Sequence, residues 1–305
     1  MTRLSNWILI LASLPLAFGQ IQSGPPLPHK LVKDWAKLPP GWNFGECAGV
    51  AVDKDDRVWV VHRGARPVIQ LDRDGKVLEA WGEGLLKSGH GITLDREGNL
   101  WVVDVKGHVI IKLSPEGRVQ MLLGARQGVA GNNESKDEFN EPTRVAFAPN
   151  GDFFVSDGYI NSRVVRFNND AEYLMHWGKK GKADGEFDLV HDVVIDSRNR
   201  IYVADRNNAR VQIFDGNGKF LGKWTHAGSP YGLAYAAQEN AIYMCDGLNG
   251  RIVKLNLEGQ ILGVLGSPGR IPGRLTSAHH IAVDSRGDIY VAEIRNWRVQ
   301  KFAKP

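Results

Sequence analysis

The 305-residue chain has only two cysteines, Cys47 and Cys245, which excludes a disulfide scaffold and any multi-cysteine zinc motif. It lacks an excess of one charge: 38 Lys and Arg stand against 34 Asp and Glu. A formal net charge of +4 is too balanced for a nucleic-acid grip built on charge alone. With 43% hydrophobic and 24% charged residues it also lacks the composition of a disordered chain. Its 35 glycines have no G-X-Y period, so collagen is out and the glycines read as many tight turns. Long hydrophobic runs are missing after the first twenty residues, and no later segment approaches the roughly 20 apolar residues that span a bilayer. Such a chain must be held together by a core.

The single apolar run lies at the start. Arg3 supplies positive charge, Trp7 to Phe18 is mostly apolar, and Ala17-Phe18-Gly19 puts small residues at both recognition positions before Gln20. Broken by Pro15, the run is too short to span and reads as a signal peptide over residues 1–19, with an uncleaved anchor as the alternative. The mature chain, 20–305, is then expected to be secreted or periplasmic, with no membrane contact after cleavage. A Cys47–Cys245 bond is permitted in that setting, but nothing in the sequence calls for it.

Six segments repeat one pattern: 49–63, 91–105, 144–158, 192–206, 232–246 and 280–294. Each is a short alternating apolar strand, a polar turn, and a second strand rich in β-branched or aromatic residues. A third strand follows with a recurring N-x-R-[VI] start, as in Asn161-Ser162-Arg163-Val164 and Asn208-Ala209-Arg210-Val211. A fourth often ends in an apolar residue plus Gly, as at Trp81-Gly82 and Trp177-Gly178. The anchor positions Asp53, Asp95, Ala148, Asp196, Ala236 and Asp284 are 40–53 residues apart. Four strands per period of that length predict an all-β, six-bladed β-propeller. The sixth copy stops after three strands at Pro305, so residues 31–36 are expected to supply the missing strand and close the ring. The polar connection 125–142 reads as a loop over one face. Arg163, Arg210, Arg251 and Arg298 recur at one repeat position and are expected to pair with Asp157, Asp205, Asp246 and Glu293, a structural role.

Function in a repeat protein is sought where copies break their own pattern. Five residues before the anchor stand His90, His191 and His279 in copies two, four and six, and Ala48, Thr143 and Tyr231 in copies one, three and five. First strands of a propeller line its central channel, so three imidazoles from alternate blades converge at one height. That matches the three protein ligands of a catalytic zinc with an open fourth position. An all-histidine set without thiolate makes zinc the first choice among metals, and a hydrogen-bonded ring of imidazoles is the other arrangement this register permits. A second break lies at the end of the second strand, where His62 replaces the usual acid and is followed by Arg63. Arg206 follows Asp205, and Tyr159 lies two beyond Asp157. Arg63 and Arg206 could bind an anionic substrate bidentately. Tyr159 could act as general base if nearby positive charge lowers its pKa. The alternative is that these are rim residues on turns.

The repeat resembles the NHL family of propellers across nearly the whole mature chain. Within it the chain is similar to the peptidyl-α-hydroxyglycine α-amidating lyases. The likeness rests on Val61-His62-Arg63-Gly64, Gly89-His90-Gly91, Pro142-Thr143, the run from Val155 to Arg163, Val190-His191, Val203-Ala204-Asp205-Arg206 and Ala278-His279. The resemblance implies His90, His191 and His279 as zinc ligands, Tyr159 as catalytic tyrosine, and Arg63 and Arg206 as active-site arginines. It implies cleavage of the C–N bond of a peptidyl-hydroxyglycine to a peptide amide and glyoxylate. The family carries an Asp after its third zinc-binding histidine that helps hold a structural calcium ion; His280 stands there, so of the two implied ions calcium (Ca2+) is the one whose ligand set is altered. Ile160 replaces the cysteine beside the family's tyrosine, so its disulfides are not reproduced. The expected partner is a small-molecule or peptide substrate with a carboxylate, no nucleic acid, and a monomeric state. Competing functions are a lactonase-like metal-dependent hydrolase, whose usual carboxylate and Asn ligands differ from this set, and a non-enzymatic module binding peptide or carbohydrate.

Overall fold

Strand alternation builds each repeat into a four-stranded antiparallel sheet. The structure, a computed structural model, describes residues 21–124 and 128–305. The segment read as a signal peptide, 1–19, lies outside the described residues, as do residues 125–127 of the long connection. After β1 (Lys30–Val32), blade one holds β2 (Cys47–Val52), β3 (Val58–His62), β4 (Val68–Leu71) and β5 (Val77–Trp81). Blade two holds β6 (Gly89–Leu94), β7 (Leu100–Asp104), β8 (Val109–Leu113) and β9 (Val119–Gly124). Blade three holds β10 (Pro142–Phe147), β11 (Phe153–Asp157), β12 (Arg163–Phe167) and β13 (Tyr173–Trp177). Blade four holds β14 (Val190–Ile195), β15 (Ile201–Asp205), β16 (Arg210–Phe214) and β17 (Phe220–Trp224). Blade five holds β18 (Pro230–Ala236), β19 (Ala241–Asp246), β20 (Arg251–Asn256) and β21 (Ile261–Leu265). Blade six holds β22 (Ala278–Val283), β23 (Ile289–Glu293) and β24 (Arg298–Ala303), and its outer strand is β1.

The closing pairs are Lys30 with Ala303, Leu31 with Phe302 and Val32 with Lys301. The strand is shorter and begins one residue earlier than the expected 31–36, because Asp34 turns left-handed at φ 50° and redirects the chain. Trp35 leaves the sheet, packs edge-on to Tyr290 at 5.1 Å, and donates its indole N–H to the Arg73 carbonyl at 2.9 Å. The first strands form the inner circle, and β2 packs beside both β6 and β22. The core lies between blades: Val50, Val58 and Val60 of blade one meet Tyr290, Ala292 and Val299 of blade six.

The recurring polar residues hold turns and entries. Asp196 accepts the N–H groups of Arg198 and Arg200 on one oxygen and the Tyr202 hydroxyl on the other; Asp284 repeats this with Tyr290. The acid ending the second strand accepts a backbone N–H from the chain entering its blade: Asp157 from Asn140, Asp205 from Asp188, Glu293 from Thr276. In blade one, His62 Nδ1 accepts the Gly45 N–H at 3.0 Å, so this histidine does the acid's job. Arg163, Arg210, Arg251 and Arg298 pair with Asp157, Asp205, Asp246 and Glu293 at 2.6–2.9 Å, as the repeat rule predicts. The connection before β10 does not lie free over a face. Arg163 donates to the carbonyls of Asn133 and Glu138, and Phe139 is fully buried. Gly178, at φ 103°, leaves no room for a side chain, because a Cβ there would stand 2.4 Å from Phe187.

Candidate metal centre

The device that aims the histidines is a β-bulge. In every blade the first and second strands lose register at one place, and the unpaired residues there are Ala48, His90 with Gly91, Thr143, His191, Tyr231 and His279. A bulge kinks the strand and re-aims a side chain, here toward the axis. His90 and His191 are fully buried and His279 is 4% exposed. Nitrogen atoms of the three rings all lie within 4.8 Å of one another.

The alternate blades supply the second layer of the design. His90 Nδ1 donates to the Thr143 carbonyl at 2.9 Å, His279 Nδ1 to the Ala48 carbonyl at 2.6 Å, and His191 Nδ1 to the Tyr231 carbonyl. Each acceptor sits at the bulge of the next blade around the ring. A carbonyl can only accept, so each Nδ1 carries the proton and each Nε2 turns its lone pair to the axis, as metal-binding histidines do. Burial pushes His279 down to about 3 and holds His90 and His191 well below the usual imidazole range, so all three are neutral ligands. The set fits zinc: three neutral imidazoles, a locked tautomer and one open direction.

Tyr159 stands at that open direction. Its hydroxyl is 3.2 Å from His90 Nε2 and 3.0 Å from His191 Nε2. Burial pushes the phenol up, and the Arg206 and Arg63 guanidiniums pull it back only in part, so the expected net lowering by positive charge is not what this environment gives. Arg206 lies with its Cζ 5.5 Å from the Tyr159 ring centre and 4.7 Å from that of Tyr231. Arg63 is tied more tightly. It pairs with Glu46 at 2.6 Å and donates its Nε–H to the Gly89 carbonyl at 3.3 Å, an opposition the sequence did not disclose. Beside it, a cavity of about 220 Å³ is lined by His62, Arg63, Ala65, Lys87 and Ser88.

Two groups take places in the site to which the sequence assigned no role. Tyr231 occupies the histidine register in blade five and walls the site, 5.4 Å ring to ring from His191. Beneath the histidines the residues after three of the bulges, Arg144, Asp192 and His280, form a second buried polar layer. Arg144 donates its Nε–H to Thr93 at 2.8 Å and an Nη1–H to His280 Nδ1 at 2.8 Å, and lies 3.7 Å from the Asp192 carboxylate. Asp192 also accepts the Leu233 N–H at 2.8 Å, so the network crosses five blades and plugs the channel. Burial raises Asp192 to about 6 despite Arg144. Calcium takes six to eight oxygen ligands. This layer offers a guanidinium, an imidazole and one carboxylate already engaged, and therefore does not fit calcium. Below the plug, the far mouth of the channel opens as a funnel of about 300 Å³ lined by residues such as Val50, Val193 and Ile281, with Arg144 at its base and no metal-ligating side chain. Cys47 and Cys245 are both buried and free.

Comparison with known proteins bears on the fold and on the family the chain resembles. The NHL repeat family matches residues 187–214. Human "NHL repeat-containing protein 3" is 29% identical over 191 residues, covering 57% of this chain and 53% of that protein. "Peptidyl-glycine alpha-amidating monooxygenase B" of Xenopus laevis is 29% identical over 317 residues, covering 88% of this chain but 35% of its own length. A Caenorhabditis elegans protein named "Probable peptidyl-alpha-hydroxyglycine alpha-amidating lyase" is 26% identical, covering 85% of this chain and 83% of that one. The chain thus spans about half or less of the first two relatives. Among solved structures, a gluconolactonase of Xanthomonas campestris superposes with a TM-score of 0.67 at 15% identity, covering 93% of this chain and 99% of that one, a likeness of fold alone. The chain is a six-bladed β-propeller with an NHL-repeat match at residues 187–214, and it resembles the peptidyl-α-hydroxyglycine α-amidating lyases.

Proposed function

We propose that the chain is an exported, zinc-dependent carbon–nitrogen lyase of the amidating-lyase type, acting as a monomer on a small-molecule or peptide substrate that carries a carboxylate on a hydroxylated glycine-like carbon. The observation that carries this reading is three imidazole nitrogens within 4.8 Å of one another, with the Tyr159 hydroxyl beside the Nε2 atoms of two of them. Relatives named as amidating lyases support it.

A zinc ion held by His90, His191 and His279 supplies a Lewis acid that polarises a substrate oxygen and makes its hydroxyl easier to deprotonate. The protein does the rest. Arg206 meets the carboxylate and orients the carbinol carbon at Tyr159, and Arg63, held by Glu46, adds positive charge to the site. Tyr159, whose phenol the two guanidiniums alone do not ionise, would accept the hydroxyl proton as phenolate once a cation held beside it adds its charge. The O–H electron pair closes a carbonyl, the C–N bond breaks, and the departing amide nitrogen takes a proton back from the same phenol. The products are an amide and glyoxylate, with no redox change. The two guanidiniums favour the phenolate against the burial that opposes it.

The test is glyoxylate release from an N-acyl-α-hydroxyglycine. Zinc-loaded protein should produce it and metal-free protein should not. Absence of product from fully loaded protein would contradict the reading. A hydrolase of the lactonase type would instead open lactones, and a binding module would keep its ligand when all three histidines are replaced.

A further inference from the structure

We propose that Tyr231 is a specificity-determining residue, which fixes Arg206 as a clamp for a small carboxylate adjoining the metal centre. The inference deepens the lyase reading, since the carboxylate of a hydroxyglycine is the group so held.

Tyr231 fills in blade five the bulge position that carries histidine in blades two, four and six. Its ring lies 5.4 Å from His191 and 6.4 Å from His279, so it forms a wall of the metal site rather than part of the rim. The Arg206 guanidinium sits against two aromatic faces, 4.7 Å from Tyr231 and 5.5 Å from Tyr159. Cation–π attraction on both sides restrains a side chain that is otherwise long and mobile. The donors of Arg206 are nearly unspent. Its Nε reaches Asn207 Oδ1 at 3.5 Å, at the limit of a hydrogen bond, one donor is directed at the Tyr159 hydroxyl, and it makes no ion pair among the described residues. Arg63 differs, since Glu46 already occupies one edge of its fork. Of the two guanidiniums over the site, Arg206 is therefore the one free to take a carboxylate with two parallel N–H bonds.

The backbone leaves space for this wall. A Cβ on Gly247 would stand 2.5 Å from the Tyr231 ring, so a side chain at the β19–β20 turn would drive the ring off its place. The Tyr231 hydroxyl has no hydrogen-bond partner among the described residues and the side chain is half-buried, which leaves it free to touch a ligand. Holding the fork in place before binding spares the ordering cost that a loose arginine would incur.

The probe is glycolate, compared with its neutral amide glycolamide, titrated calorimetrically into zinc-loaded protein; the readout does not depend on turnover. Tyr231→Leu should weaken glycolate roughly tenfold, the size of a lost desolvated cation–π pair, with zinc content and glycolamide affinity unchanged. Tyr231→Phe, which keeps the ring, should stay within about twofold. In an Arg206→Ala background, Tyr231→Leu should cost nothing further, because the clamp it serves is gone. Should the leucine variant lose zinc, Tyr231→Met, of similar length and without a ring, takes its place in the same comparison. Equal losses for glycolate and glycolamide, equal losses with and without Arg206, or no glycolate binding by the wild type would overturn the proposal. Wild type that binds glycolate yet releases no glyoxylate from a hydroxyglycine would contradict the lyase reading and leave the clamp standing.

Discussion

At the scale of single residues, the site depends on which nitrogen of each imidazole is committed. The alternation of His90, His191 and His279 is visible in the sequence because the repeat supplies a register. Their partners are not visible, because the acceptors are backbone carbonyls of Ala48, Thr143 and Tyr231, and a carbonyl leaves no trace in residue identity. Nor could spacing show that Glu46 engages Arg63 or that burial outweighs the arginines at Tyr159. Tyr159→Phe should lower turnover by about 10²–10⁴ while the protein keeps its metal, as expected for loss of a general base; unchanged turnover removes Tyr159 from the mechanism. The buried imidazoles also set a pH dependence for metal-free protein. His279 lies at about 3 and His62 at about 4 in the folded chain, with His90, His191 and His280 also depressed, against about 6.5 unfolded. The unfolded chain therefore takes protons first, and stability present above about pH 6.5 is lost as the pH falls toward the folded values. Asp192, raised to about 6, acts with the opposite sign, as do Asp157 and Asp284, whose carboxyls burial also raises, against six depressed imidazoles once His176 is included. Urea midpoints of the metal-free protein should fall between about pH 7 and pH 4.5; a flat or rising profile would show that the imidazoles are not buried as described.

At the scale of the element, the bulge in each first strand and the ion pair behind each third strand serve different ends. The bulge aims chemistry; the pair holds a blade edge to the loop before it. The recurring arginines were legible as structural because their acids recur with them. His62 looked like a functional break, yet it accepts the Gly45 N–H where the other blades use a carboxylate, so the local task survives a change of residue. Arg163 and Asp157 are both fully buried. Arg163→Met should destabilise the protein by about 3–5 kcal/mol, since Asp157 is left as an unpaired buried charge, and adding Asp157→Asn should restore much of the loss. Chemical denaturation measures both; additive losses in the double variant would deny the coupling.

At the scale of the whole molecule, the ring has to close for the metal centre to form, because the His279 to Ala48 hydrogen bond joins the last blade to the first. Closure was foreseeable from the missing fourth strand of copy six, although Asp34 and Trp35 end that strand sooner than its apolar pattern suggests. Removing residues up to Val32 should lower the thermal midpoint and weaken metal binding together; a fall in the midpoint with metal affinity intact would separate closure from the site. The Arg144 network has a global consequence too. A guanidinium and an imidazole occupy the layer where the resemblance implied calcium, so added calcium should leave the thermal midpoint of the zinc-loaded protein unchanged. Arg144→Met should lower it, with Asp192 stranded in the channel.

Metal analysis of the purified protein tests the central claim most directly. One zinc ion per chain, lost when His90, His191 and His279 are replaced together while the propeller stays folded, is the predicted result. A folded wild type that takes up no zinc when zinc is supplied, or a folded triple variant that keeps its metal, would contradict it.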